Sequence, residues 1–110
     1  MIVEVITGAD ERPEARVVDV DDLGRLHLAL GQVTDEEAGQ ALESSGLGRL
    51  QDADTAQLDA AALRAAAEPR ATAPDWSAQW DAMVATARSQ GWLSEDGATI
   101  QVHVESAAGA

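Results

Sequence analysis

Two stretches near opposite ends of this chain alternate strictly between large apolar and polar residues, and a period of two is the period of a strand. Arg25–Leu30 puts Leu26, Leu28 and Leu30 on one side and Arg25, His27 and Ala29 on the other. Thr99–Glu105 puts Ile100, Val102 and Val104 on one side and Gln101, His103 and Glu105 on the other. Such strands want one face against a core and one face wet. Both are therefore expected in one sheet, with helices covering its apolar face.

The remaining segments fit that frame. Ile2–Ile6 is a short β-branched run and reads as a strand. Thr7–Glu14 holds Gly8, Asp10 and Pro13 and reads as a loop. Ala15–Leu30 reads as a β-hairpin turning at Asp21-Asp22-Leu23-Gly24, with Gly24 supplying a positive φ. Thr34-Asp-Glu-Glu37 is a capping box that opens a helix over Asp35–Ser45, with Gly46 ending it. Leu47–Leu58 mixes apolar and acidic residues and reads as an irregular connection with room for a short extended piece, its choice between strand and loop left open by the sequence. Asp59 can cap an Ala-rich helix over 60–67 anchored by Leu63, and Glu68–Pro74 reads as a loop. Asp75 can cap a third helix, in which Trp76, Trp80, Met83, Val84 and Ala87 share one face. Gly91 stands at its C-terminal stop.

The expected fold is α+β. It has a small sheet of three to four strands: the N-terminal strand, the β-hairpin and the C-terminal strand. Two to three helices cover one of its faces. Residues 1–105 make one domain, and the small residues 106–110 a frayed tail. The 110 residues suit one unit. Their 45% hydrophobic content rests heavily on alanine, so the core is expected to be small.

The residue types that never occur limit the chemistry. There is no Cys, Lys, Phe, Tyr or Asn. No thiolate, ε-amine or phenol can act here, and a cysteine zinc site is impossible. The missing Phe, Tyr, Asn and Lys all use A/T-rich codons, so a G/C-rich bacterial coding sequence accounts for their absence. A net charge of −13 repels phosphate backbones and anionic lipid headgroups, so neither nucleic acid nor a membrane is expected as a partner. No apolar run is long enough to span a bilayer, and the first residues lack the basic and apolar regions of a secretory signal. A cytoplasmic location is the expectation.

Motifs add little. The Asp52-Ala-Asp54 stretch fails the calcium-loop pattern, because Gln57 stands at the glycine position and Leu63 at that of the closing Glu. The Asp19, Asp21 and Asp22 cluster suits turn hydrogen bonds. Gly46-Leu-Gly48 is half of a dinucleotide fingerprint, with Gln51 where the third glycine belongs. No serine has the nucleophile-elbow frame.

Two groupings survive. His27 and His103, the only imidazoles, lie on the polar sides of their strands. If those strands are close, the pair can share a patch with Arg25, Gln101 and Glu105. Two imidazoles and the Glu105 carboxylate could then hold a divalent metal ion. The second grouping is Trp92, beside a helix end and a turn, a candidate anchor for a partner. The first functional expectation is a non-enzymatic interaction or accessory domain with no cofactor. It would bind a basic protein or a second copy of itself, with Trp92, Arg25, His27 and His103 as contact candidates. The alternative is a ligand- or metal-binding domain, or a minor enzyme, built on His27, His103 and Glu105.

Overall fold

The computed structural model describes residues 1–8 and 12–106. The strands are β1 (Ile2–Thr7), β2 (Pro13–Val18), β3 (His27–Leu30), β4 (Gly48–Leu50), β5 (Thr55–Asp59) and β6 (Thr99–Ser106). The helices are α1 (Asp35–Ser45), α2 (Ala60–Ala67) and α3 (Trp76–Gln90). The expected frayed tail lies outside the described residues except for Ser106, which ends β6.

The expectation of three to four strands is overturned. The sheet has six strands in the order β2-β1-β3-β6-β5-β4, is mixed in direction, and curls into a half-barrel. Two local readings account for the difference. Leu47–Leu58 is a hairpin of β4 and β5 rather than an irregular connection. Its strands are short, and their outward positions carry Arg49 and Gln57, which hid the inward Ala56 and Leu58. Asp52 shapes the turn by accepting the Asp54 amide at 2.8 Å.

The second difference is the Ala15–Leu30 hairpin. β2 and β3 do not pair, because β1 lies between them. Ile2 stands opposite Val18 on one side and His27 on the other. The true hairpin is β1–β2, and Pro13, expected in a loop, opens the edge strand β2, where a missing amide costs little. Crossing from β2 to β3 means passing two strand spacings, about 9.5 Å, which a two-residue turn cannot do. The chain uses Asp19–Leu26 instead. Asp19 turns it at φ 50°, Gly24 does not take a positive φ, and a single 3-10 turn at Leu23–Arg25 buries Leu23.

The three helices form as their end signals predict, with one exception. The Thr34 hydroxyl accepts the Glu37 amide, and the Glu37 carboxylate accepts the Thr34 amide. Asp59 accepts the Ala62 amide at 2.8 Å. Asp75 does not cap α3; its carboxylate takes the Gln79 side-chain amide instead. Gly91 ends α3 at φ 79°, with the Trp92 amide reaching back to the Ala87 carbonyl.

α1 touches both edge strands, β2 and β4, so one amphipathic helix reaches across from one end of the sheet to the other. Ala38, Ala41 and Leu42 face inward from it onto a core that includes Val3, Val5, Leu28, Leu58 and Ile100. Trp76 and Trp80 are buried and stack on each other with centroids 5.5 Å apart. The Arg64 guanidinium of α2 lies about 6 Å from both rings, at 6.0 Å and 5.9 Å, and ties the two helices together. Among the described residues, no helix is long and apolar enough to cross a membrane.

The crossing segment is pinned to the approach to α3. Trp76 Nε1 donates to the Val20 carbonyl at 2.7 Å, and Arg70 donates to the Val17 carbonyl. Asp21 accepts from the Thr72 hydroxyl and from the Thr72 and Ala73 amides. These bonds, the Thr72 hydroxyl first, hold the Asp21 carboxyl below the usual 3.8. A carboxyl with a lowered folded value stabilises the fold above its unfolded value and stops doing so as pH falls through the folded one. Asp21→Asn should therefore lower the urea midpoint near neutrality. That deficit should shrink as the pH is taken to 3.8 and below, and a deficit constant with pH would refute this role.

Gly48 gives a second check. It sits at φ 155°, and a Cβ there would lie 2.2 Å from the Gln57 carbonyl oxygen of the neighbouring strand. Gly48→Ala should cost at least about 2 kcal/mol in denaturant unfolding, through backbone clash rather than lost contacts.

Candidate functional site

The site grows from the way β3 enters the sheet. β3 runs parallel to β1 and to β6, with Leu28 beside Val104 and Ala29 beside Glu105. One step back along that register puts His27 beside His103. Neighbouring residues on adjacent strands point to the same face about 4.8 Å apart. The two imidazoles accordingly stack with centroids 5.3 Å apart and planes 18° from parallel. Glu105 follows His103 by two residues, so it shares that face.

The expectation for His27 needs correcting. Its alternating neighbours predict an exposed side chain, yet it is only 8% exposed, against 62% for both His103 and Glu105. β3 is central, hydrogen-bonded to β1 and β6, and His103 lies across the imidazole face. Both sides of β3 are therefore covered, as is usual for strands with parallel neighbours.

The bonding around His27 sets its chemistry. Nδ1 lies 2.8 Å from the Arg25 backbone carbonyl. A carbonyl can only accept, so Nδ1 carries the hydrogen, and in the neutral ring Nε2 presents its lone pair. That Nε2 lies 3.2 Å from Glu105 Oε2, and His103 Nε2 lies 3.2 Å from Glu105 Oε1. One carboxylate thus spans two imidazole nitrogens. Two lone pairs facing each other at His27 repel unless a proton or a metal ion stands between them. A backbone carbonyl on the far nitrogen is also the arrangement that orients metal-ligating histidines.

The donor set fits a metal ion. The three ligand atoms all lie within 4.8 Å of one another. Tetrahedral donors at bonds of about 2.0–2.1 Å sit about 3.3 Å apart, so modest side-chain rotation closes the site. Of the three donors, His27 is the one held in place, and the exposed His103 and Glu105 are the two that can adjust.

The triad stands at one end of a cleft of about 800 Å³. The slot beside β6 is filled at both ends. β3 fills one end. Trp92 and Leu93 fill the other, through the Leu93–Ile100 bridge and a 2.7 Å bond from the Gln101 amide to the Trp92 carbonyl. Between them the slot opens. Leu26, Met83 and Val102 give the cleft apolar wall, and Thr55, Thr86 and Gln101 give it hydroxyl and amide groups. Trp92, 46% exposed, is the one exposed large apolar side chain among the described residues, and it borders this cleft. Arg25 lines it as well, with its guanidinium mostly in solvent and 3.9 Å from Asp22.

The structure therefore brings His27, His103, Glu105, Arg25 and Trp92 into one place. Sequence reasoning did not find Thr55, whose strand was read as a connection, although the buried alternation of Ala56 and Leu58 was a usable signal. It had no means of finding the Arg25 carbonyl, because a backbone group carries no residue-type signature. Compared with known proteins, the chain matches no family model, no curated protein and no solved structure.

One measurement checks the local chemistry. Nitrogen-15 spectra of the imidazoles in metal-free protein should show His27 with its hydrogen on Nδ1, held in slow exchange by the Arg25 carbonyl. His103, exposed on the cleft side, should exchange fast. A neutral His27 carrying its hydrogen on Nε2 would overturn the assignment.

Proposed function

We propose that this protein is a small metal-dependent ligand-binding domain. A borderline divalent ion of the zinc type would be held by His27 Nε2, His103 Nε2 and the Glu105 carboxylate. The observation that carries this reading is the single carboxylate shared by two stacked imidazoles, one of them buried with its far nitrogen held by a backbone carbonyl. Three protein ligands leave at least one coordination position, the arrangement of sites that bind or act on a small molecule. An ion bound there supplies Lewis acidity toward an oxygen of that molecule. The chain's own contribution is to hold the nitrogens, to shape the cleft, and to keep apolar wall beside the open position.

A second reading keeps one observation of its own. An exposed indole on a chain of charge −13 suits an interaction module that anchors a basic protein through Trp92. The metal reading is favoured because it also accounts for the paired imidazoles and the cleft.

Zinc titration separates the two. Wild type should bind one ion with a Kd of about 1 μM, equivalent to about 8 kcal/mol. The imidazole signals of both His27 and His103 should move. Losing a group that only orients a ligand costs about 10–100-fold in such sites, so losing a ligand should cost more, and His103→Ala should weaken binding at least about 100-fold. His103 is exposed, so that variant should keep the wild-type unfolding midpoint. Imidazole signals unmoved by zinc would sink the metal reading and leave the interaction module standing.

A further inference from the structure

We infer that the cleft takes a flat, largely apolar organic monoanion, such as an aromatic carboxylate, with its acid group on the ion and its ring system against Trp92. This inference rests on the metal reading above and names the ligand class of the same site.

Charge is the first argument. The protein as a whole repels anions, at −13. With a divalent ion bound, the balance at this site would be reversed. A divalent ion less the Glu105 charge leaves one positive charge facing the cleft. The Arg25 guanidinium, which lines the same cleft, adds a second, partly offset by Asp22 at 3.9 Å. One anionic head matches that field. A dianion would exceed what is left after Asp22, and a cation would be repelled.

Shape and surface are the second argument. About 800 Å³ holds a molecule of one to three rings. Met83, Leu26 and Val102 offer apolar wall, and the indole of Trp92 a flat polarisable one. Trp92 is half-exposed in a fold that buries its other two tryptophans, and a ring system seated in the cleft would cover it.

Two probes in two conditions test this: 2-naphthoate and its neutral analogue 2-naphthalenemethanol, each with zinc present or chelated by EDTA, with zinc alone as the reference. The readouts are the three indole Nε1–H signals and, in the same samples, the imidazole signals of His27 and His103. With zinc, 2-naphthoate should move the Trp92 indole signal and leave those of Trp76 and Trp80. It should bind at least about tenfold more tightly with zinc than in EDTA, since a charge-assisted head group is gained. The alcohol should bind equally in both. Trp92→Ala should abolish most naphthoate binding and still show the zinc shifts at both histidines. Arg25→Ala should weaken naphthoate several-fold and the alcohol not at all.

Zinc shifts at the histidines together with zinc-independent naphthoate binding, or with a Trp92 signal that does not move, would overturn the ligand class and leave the metal site intact. Absence of zinc shifts at the histidines would overturn both. A response of Trp92 to the alcohol as strong as to naphthoate would show an apolar cleft with no preference for an anion, and would also overturn the inference.

Discussion

β3 is four residues long, yet it is paired on both edges and covered on both faces, and the rest of the architecture follows from that position. Because β1 and β6 both run parallel to it, neither can reach it by a tight turn. The chain must therefore take two long detours, once around the end of β1 through the 3-10 turn and once through three helices and the β4–β5 hairpin. These excursions supply the walls of the cleft. The same parallel register places His27 beside His103 and brings Glu105 to their nitrogens. A shift of one residue would turn His103 and Glu105 to the opposite face and leave His27 facing Val102 or Val104.

Closure is handled by helices rather than by a seventh strand. α1 lies against both β2 and β4, so the two ends of the sheet share one covering helix. The tryptophan pair of α3, braced by Arg64, anchors the other helix layer, while the Asp21, Arg70 and Trp76 hydrogen bonds fasten that layer to the loop behind β3. The cleft opens between these fastened parts. Its α3 wall is thus held by hydrogen bonds and buried rings, and its other wall by the pairing of β3 with β6.

Much of the local structure was readable from residue order. The alternation of Thr99–Glu105 gave the correct inward and outward residues for β6, and the Thr34–Glu37 box and the Gly91 stop gave the ends of α1 and α3. Three local signals misled. Asp21-Asp22-Leu23-Gly24 has the composition of a hairpin turn, but β1 competes for the same edge of β3 and wins by burying Val3 and Val5. The polar outward residues of β4 and β5 concealed two strands. Asp75 stands where a cap belongs, but its carboxylate bonds the Gln79 side chain. In the site, the residue types of His27, His103, Glu105, Arg25 and Trp92 drew notice in the sequence. Their assembly into one cleft did not follow from it.

Residue order alone determined which way each side chain of β6 points, where the helices begin and end, and which reactive groups exist at all. These are properties of backbone periodicity and side-chain chemistry within a few residues. Only the tertiary structure decided the strand order, the burial of His27 and the shared carboxylate of Glu105. Pairing order and register are chosen by long-range burial and by the length of the connecting segments. The energies involved are spread over residues far apart in the chain, and no short window of sequence contains them.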